Sequence, residues 1–177
     1  MKPLGARLVA VEDASGAVVN REGIDADDLA EYVAVHRVLA GYPGGSAVDH
    51  ETFMSTEANI FVPAALENQI TAATAPLLNV TLVAEGANGP TNLAGGQILQ
   101  EKGIEVLPDI LCNAGGVIVS YFEWFQNKRS EFWDLEQVDG KLHRIVIDAY
   151  ERVHEAATRF NVSWRTAAYV VALSRLE

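Results

Sequence analysis

Three short apolar runs in this chain each lead into a turn built from proline, glycine or asparagine. Asn59 to Val62 is stopped by Pro63, and Val80 to Ala84 runs into Glu85-Gly-Ala-Asn-Gly-Pro-Thr. Glu105 to Leu107 runs into Pro108 and Asp109, then Asn113 and the Gly115-Gly116 pair. Runs this short and this apolar suit strands buried on both faces, and the segment from about Ala94 to Lys102, closed by Gly103, has the length of a connecting helix. Strands joined by right-handed helical crossovers make a parallel sheet with all carboxyl ends on one side, where open α/β sheets bind their ligands.

The stretch from Pro108 to Asn127 is the richest of the three. It reads as a helix start, with free backbone N–H groups and a positive dipole end, beside two glycines that let a ligand approach the main chain. The Asn113 amide can donate and accept at once, as recognition of a carboxamide or an amino acid requires, although asparagine before small residues also serves simply as a helix cap. If the helix continues, Asn113, Val117, Ser120 and Trp124 share one face. In the two earlier turns, Ala64 and Ala65 leave room for a flat ligand or serve tight packing, and Asn88 presents a polar side chain.

Ahead of these units, Ala6 to Val11 is a nearly continuous apolar run ending in Glu12-Asp13, with Ser15-Gly16 as a turn. It suits a fully buried parallel strand. A carboxylate at the end of such a strand can accept hydrogen bonds from a ribose diol, which makes Asp13 a candidate and Glu12 the second choice; a solvated turn carboxylate is the plainer reading. Asp25 reads as the cap of a helix carrying Leu29, Tyr32, Val33, His36 and Leu39 at helical spacing, with Gly41 closing it and a loop through Ser46. Towards the carboxyl end, Asp134 with Gln137 resembles a capping box. Leu135, Val138, Leu142, Ile145, Ala149, Val153, Ala156 and Phe160 then mark one long amphipathic helix, and Ser163 caps a last one.

Composition narrows the function classes. A chain of 177 residues with 49% hydrophobic side chains is expected to form one domain over 1–177. A formal net charge of -11 with scattered basic residues argues against a nucleic-acid or anionic-membrane surface. No signal-type start and no apolar run near the ~18 residues of a spanning helix are present, so a cytoplasmic protein is expected. The single Cys112 forms no internal disulfide and reads as a small buried hydrophobe, and the four histidines show no metal-ligand spacing. Neither a Gly-x-Ser-x-Gly elbow nor a Walker phosphate loop is found.

Pro63-Ala-Ala-Leu-Glu-Asn-Gln-Ile-Thr, Val83-Ala-Glu-Gly-Ala-Asn-Gly-Pro-Thr, Asn113-Ala-Gly-Gly-Val and Ser120-Tyr-Phe-Glu-Trp occur in that order. From about Leu4 onward the chain thereby resembles the C-terminal, NAD(P)-binding domain of glutamate dehydrogenases, within the wider glutamate, leucine, phenylalanine and valine dehydrogenase family. Ser120-Tyr-Phe-Glu-Trp-Phe-Gln-Asn resembles the glutamate branch in particular. The resemblance implies a Rossmann-like, doubly wound, mostly parallel sheet, incomplete at its N-terminal strand, with a long C-terminal helix. It also implies that Asp13 contacts the adenosine ribose, that Ala65 and Asn88 line the cofactor site, and that Asn113 lies near nicotinamide and substrate. Val117 would pack against the methylenes of L-glutamate and Ser120 would bind its side-chain carboxylate. An acid at Asp13 favours NAD, whereas an arginine nearby would admit NADP.

The same resemblance implies parts that this sequence does not contain. The Gly-x-Gly-x-x-Gly turn that holds pyrophosphate would precede Leu4, and a separate substrate domain would supply the catalytic lysine and aspartate. No catalytic residue is therefore assigned here. The expectation is the cofactor-binding portion of a glutamate dehydrogenase that converts L-glutamate to 2-oxoglutarate and ammonia, inactive as an isolated chain. The alternative is a non-catalytic paralogue that binds nucleotide or docks on complete glutamate dehydrogenase subunits. Thr91-Asn-Leu-Ala-Gly-Gly stands where the family usually has a proline and an acidic helix start, which puts that helix's cap in question.

Overall fold

A computed structural model describes residues 4–176; Met1, Lys2, Pro3 and Glu177 lie outside the described residues. The chain is a mixed α/β fold with a parallel sheet and long C-terminal helices. Its strands form two three-stranded sheets. The first comprises β1 (Leu8–Asp13), β2 (Gly16–Ile24) and β3 (Ser46–Val48), all antiparallel. The second comprises β4 (Ile60–Phe61), β5 (Leu82–Ala84) and β6 (Glu105–Leu107), all parallel.

The antiparallel sheet corrects the expectation of a fully buried parallel strand at the start. β1 is half-buried, and Asp13 pairs directly with Gly16 across a two-residue turn. A turn that short can only reverse the chain. Asp13 fixes it by accepting from the Ser15 N–H at 2.7 Å and the Ser15 hydroxyl at 2.5 Å. Between β2 and β3, α1 (Ala26–His36) starts where its cap predicts, with Asp25 accepting from the Asp27 and Asp28 N–H groups. It ends earlier than Gly41, because Arg37 adopts a left-handed conformation at φ 63° and closes the helix. Val18, Ile24, Leu29, Leu39 and Tyr42 form the core between this helix and its sheet.

The short α2 (His50–Met54) leads into the parallel sheet, whose core joins Met54, Ile70, Leu78, Val83, Leu99 and Ile104. Ile70, Val83 and Leu99 are fully buried; truncating a leucine so placed to alanine costs about 2–5 kcal/mol. α3 (Leu93–Glu101) crosses from β5 to β6. Its cap is sound, because Asn92 accepts from the Gly95 N–H at 2.8 Å. Gly95 is required here, since a Cβ would sit 2.4 Å from the Ile70 carbonyl oxygen.

Beyond β6 the chain forms α4 (Asp109–Cys112) and α5 (Ala114–Arg129), separated at Asn113, whose φ of -104° and ψ of 7° interrupt the helix. α6 (Leu135–Phe160) begins at the capping box of Asp134 and Gln137, and α7 (Trp164–Leu173) begins at Ser163, both as the sequence predicts. A third core of Leu111, Val153, Ala156, Ala167 and Ala168 seats α4 on these two helices. Among the described residues, no helix is long and apolar enough to cross a membrane.

Candidate functional site

The carboxyl ends of β4, β5 and β6 carry the three turns that the sequence singles out. The N–H groups of Gly86 and Ala87 both donate to the Pro63 carbonyl, at 3.1 and 2.8 Å, and so bind the second turn to the first. A side chain at Gly86 would place its Cβ 3.2 Å from the Ala64 Cβ, which explains the glycine. Ala64 therefore lies against the second turn, although it and Ala65 both keep exposed surface.

Asn113 projects back from the α4–α5 junction onto the second turn. Its Nδ2 donates to Asn88 Oδ1 at 2.7 Å and, at 3.4 Å, to the Gly86 carbonyl. Its side chain caps no helix, which decides against the plain capping role. One acceptor on Asn113 (Oδ1) and one donor group on Asn88 (Nδ2) have no partner among the described residues, and both side chains are at the surface. Such a pair presents the donor and acceptor that a planar carboxamide requires.

Val117 and Ser120 follow on α5, one and two turns beyond Asn113, and both are exposed; Val117 retains 76% of its accessibility. Ala65, Asn88 and Asn113 thus share the sheet edge, with Val117 and Ser120 continuing along the adjoining helix. Asp13 lies in the hairpin of the other sheet. Its carboxylate is already engaged by Ser15 and, at 3.1 Å, by the Leu39 N–H. The Ser15 hydroxyl, foremost among these donors, holds the Asp13 carboxyl below the usual carboxylate range despite some burial. Glu12, the second candidate, pairs with His50 Nδ1 at 2.9 Å.

Beneath the amide pair lies an ion cluster that sequence patterns did not single out. Glu85, at the end of β5, is fully buried, and its Oε2 accepts from the Asp109 N–H at 2.8 Å. Arg165 on α7 donates through Nη2 to that same oxygen and through Nη1 to Asp109 Oδ1 at 2.9 Å. Asp109 Oδ2 accepts from the Gly89 N–H at 2.8 Å. Burial alone would raise the Asp109 carboxyl; the Gly89 N–H, the Arg165 guanidinium and the Ile110 N–H outweigh it and hold the group below its ordinary range. The available signal was weak, namely an acid directly after one strand, an acid after Pro108, and an arginine in an otherwise apolar last helix.

Cys112 is exposed, contrary to the expectation of a buried hydrophobe, and its thiol donates to the Leu107 carbonyl at 3.5 Å. Desolvation, joined by the nearby charges of Glu85 and Asp109, pushes the thiol up from its ordinary value.

The parallel sheet gathers polar turns at its strand carboxyl ends, the position at which open α/β sheets in general bind ligands. The family model for Glutamate/Leucine/Phenylalanine/Valine dehydrogenase matches residues 1–177, and the chain belongs to that family. It is 44% identical over 173 residues to a glutamate dehydrogenase of Thermotoga maritima, covering 98% of this chain and 42% of that one. It is 41% identical over 161 residues to the NAD-specific glutamate dehydrogenase of Peptoniphilus asaccharolyticus, covering 91% and 38%. The fold matches the hetero-hexameric glutamate dehydrogenase of Thermus thermophilus in its Leu-bound form, with a TM-score of 0.90 and 30% identity, over 99% of this chain and 41% of that one. The chain spans about two fifths of the length of these relatives.

Proposed function

We propose that this chain is the cofactor-binding portion of a glutamate dehydrogenase, and that the edge formed by Ala65, Asn88 and Asn113 receives the nicotinamide of NAD. The observation that carries this reading is the Asn113–Asn88 hydrogen bond, which leaves one amide acceptor and one amide donor unpartnered at the surface beside the strand ends. These groups fit a carboxamide, and Ala65 leaves space for a flat ring. Bound there, the cofactor would supply hydride acceptance for oxidation of an amino acid at its α-carbon.

Val117 packs in this reading against the methylenes of L-glutamate, and Ser120 donates to its side-chain carboxylate. Asn113 positions and does not transfer protons, because an amide neither gains nor loses one near neutral pH. Oxidation to 2-oxoglutarate and ammonia needs a base, and no residue of this edge supplies one. Asp13 binds the adenosine ribose: its carboxylate has acceptor capacity beyond its bonds to Ser15 and Leu39. That acid favours NAD, although the relatives include both NAD-specific and NADP-specific enzymes. The reading extends to a cytoplasmic location and to association with complete glutamate dehydrogenase subunits.

The test is an assay of the purified chain with L-glutamate and NAD, together with NADH titration by fluorescence. No turnover and binding weaker than micromolar are expected, since the Gly-x-Gly-x-x-Gly pyrophosphate turn does not occur in this sequence. Turnover by the pure chain would overturn the reading of an incomplete site.

A further inference from the structure

We infer that Arg165 is a positioning residue for the Asn88–Asn113 amide pair, holding the two strand ends that present it in register through Glu85 and Asp109. This rests on the reading of that pair as the nicotinamide edge.

The connection is continuous and entirely polar. One guanidinium contacts two carboxylates that lie 80 and 56 residues away in sequence. Glu85 stands at the end of β5, immediately before the turn that carries Asn88. Asp109 opens α4, whose other end is Asn113, and its second carboxylate oxygen holds the N–H of Gly89, the residue after Asn88. Asp109 also donates its own N–H to Glu85, so the two turns are joined both directly and through Arg165. The planar fork of an arginine reaches two acceptors at fixed spacing, which the single ammonium of lysine cannot reproduce.

Stability alone is a poor explanation for this cluster. Only Glu85 of the three is fully buried, Arg165 remaining partly exposed, and taking such a carboxylate out of water costs desolvation that apolar packing of similar volume avoids. Here the fold also tolerates Glu85 Oε1 buried without a hydrogen-bond partner. A polar group kept at that cost beneath an exposed amide pair is accounted for by placement. α7 is a rigid base for it, because Ala167 and Ala168 are buried against Val153, Ala156 and Leu111.

The experiment uses the whole chain, ¹⁵N-labelled, with Arg165→Lys and Arg165→Gln. Hydrogen exchange is followed at the Gly89 backbone N–H and the Asn113 side-chain amide, with the Val83 amide in the core as the control for folding. Both variants are expected to leave Val83 protected while exchange at Gly89 and Asn113 rises about tenfold or more, Arg165→Gln exceeding Arg165→Lys. Unchanged exchange at Gly89 and Asn113 in a folded variant would overturn the proposal, and so would equal acceleration at Val83. If Arg165→Gln does not fold, Arg165→Lys, which keeps the positive charge but not the two-pronged fork, decides. NAD titration of the unsubstituted chain is a separate arm: if it leaves the edge unperturbed, the nicotinamide reading fails while the exchange result still reports on Arg165.

Discussion

Asn113 Nδ2 donates to Asn88 Oδ1 across 2.7 Å, joining the turn after β5 to the helix junction after β6. The two residues are 25 positions apart, and neither amide is consumed by its own turn or helix. The edge is thereby preorganised: the amide geometry exists before any ligand arrives, so less ordering is needed on binding. Asn113→Leu is expected to leave the folded circular dichroism spectrum unchanged and to weaken NAD binding about tenfold, a loss in line with one or two hydrogen bonds. Binding by calorimetry or NMR titration checks this.

Gly95 and Gly96 offer a paired test of packing in α3. Alanine at Gly95 would place its Cβ 2.4 Å from the Ile70 carbonyl, whereas at Gly96 the nearest atom is Thr91 Cγ2 at 3.8 Å. Gly95→Ala is expected to destabilise by about 1–3 kcal/mol or more. Gly96→Ala should be neutral or stabilising by up to about 1 kcal/mol. Urea midpoints of the two variants measure the difference.

Acid sensitivity follows from Asp109. Its folded carboxyl lies below the ordinary range, although burial opposes this, because Gly89, Arg165 and Ile110 favour the charged form. The unfolded group titrates near ~3.9, so the stabilisation is complete above that value and is lost as pH falls through the folded one. Unfolding free energy should therefore decline from about pH 4 downward. Asp109→Asn should be less stable near neutrality and show a shallower decline in acid. Asp13 and Asp49, also held low, leave a residual slope.

Much of this fold was legible. The caps at Asp25, Asp134 and Ser163 were readable because their side chains bond to N–H groups two or three residues onward. The parallel strands announced themselves as short apolar runs before Gly and Pro turns. The apolar run of β1 does not state its direction, whereas the two-residue turn before Gly16 makes it antiparallel. The sequence offers Asn113 as a helix cap, and it does hold the N-cap position of α5, but its side chain bonds to Asn88 instead, a tertiary contact that local spacing does not carry. Arg165 was equally silent, since its partners are 56 and 80 positions away and its helix reads as ordinary.

Asp13 supplies the test of cofactor choice. In the proposed role its charge repels a ribose 2'-phosphate. Asp13→Ser is expected to narrow the preference for NAD over NADP by about fivefold to tenfold in paired titrations, a shift of about one pKa unit's worth of interaction. Asp13→Ser also removes the acceptor for Ser15 and Leu39, so thermal unfolding of the variant must accompany the titration.

The proposed NAD site at the Asn88–Asn113 edge is open to a direct test by titration. The ¹⁵N-labelled chain would be titrated with NAD to millimolar concentration while backbone and side-chain amides are followed. The largest shifts are expected at the side-chain amides of Asn88 and Asn113 and at the backbone of Ala65 and Gly86. Shifts confined to another part of the surface, or none at all at millimolar NAD, would contradict it.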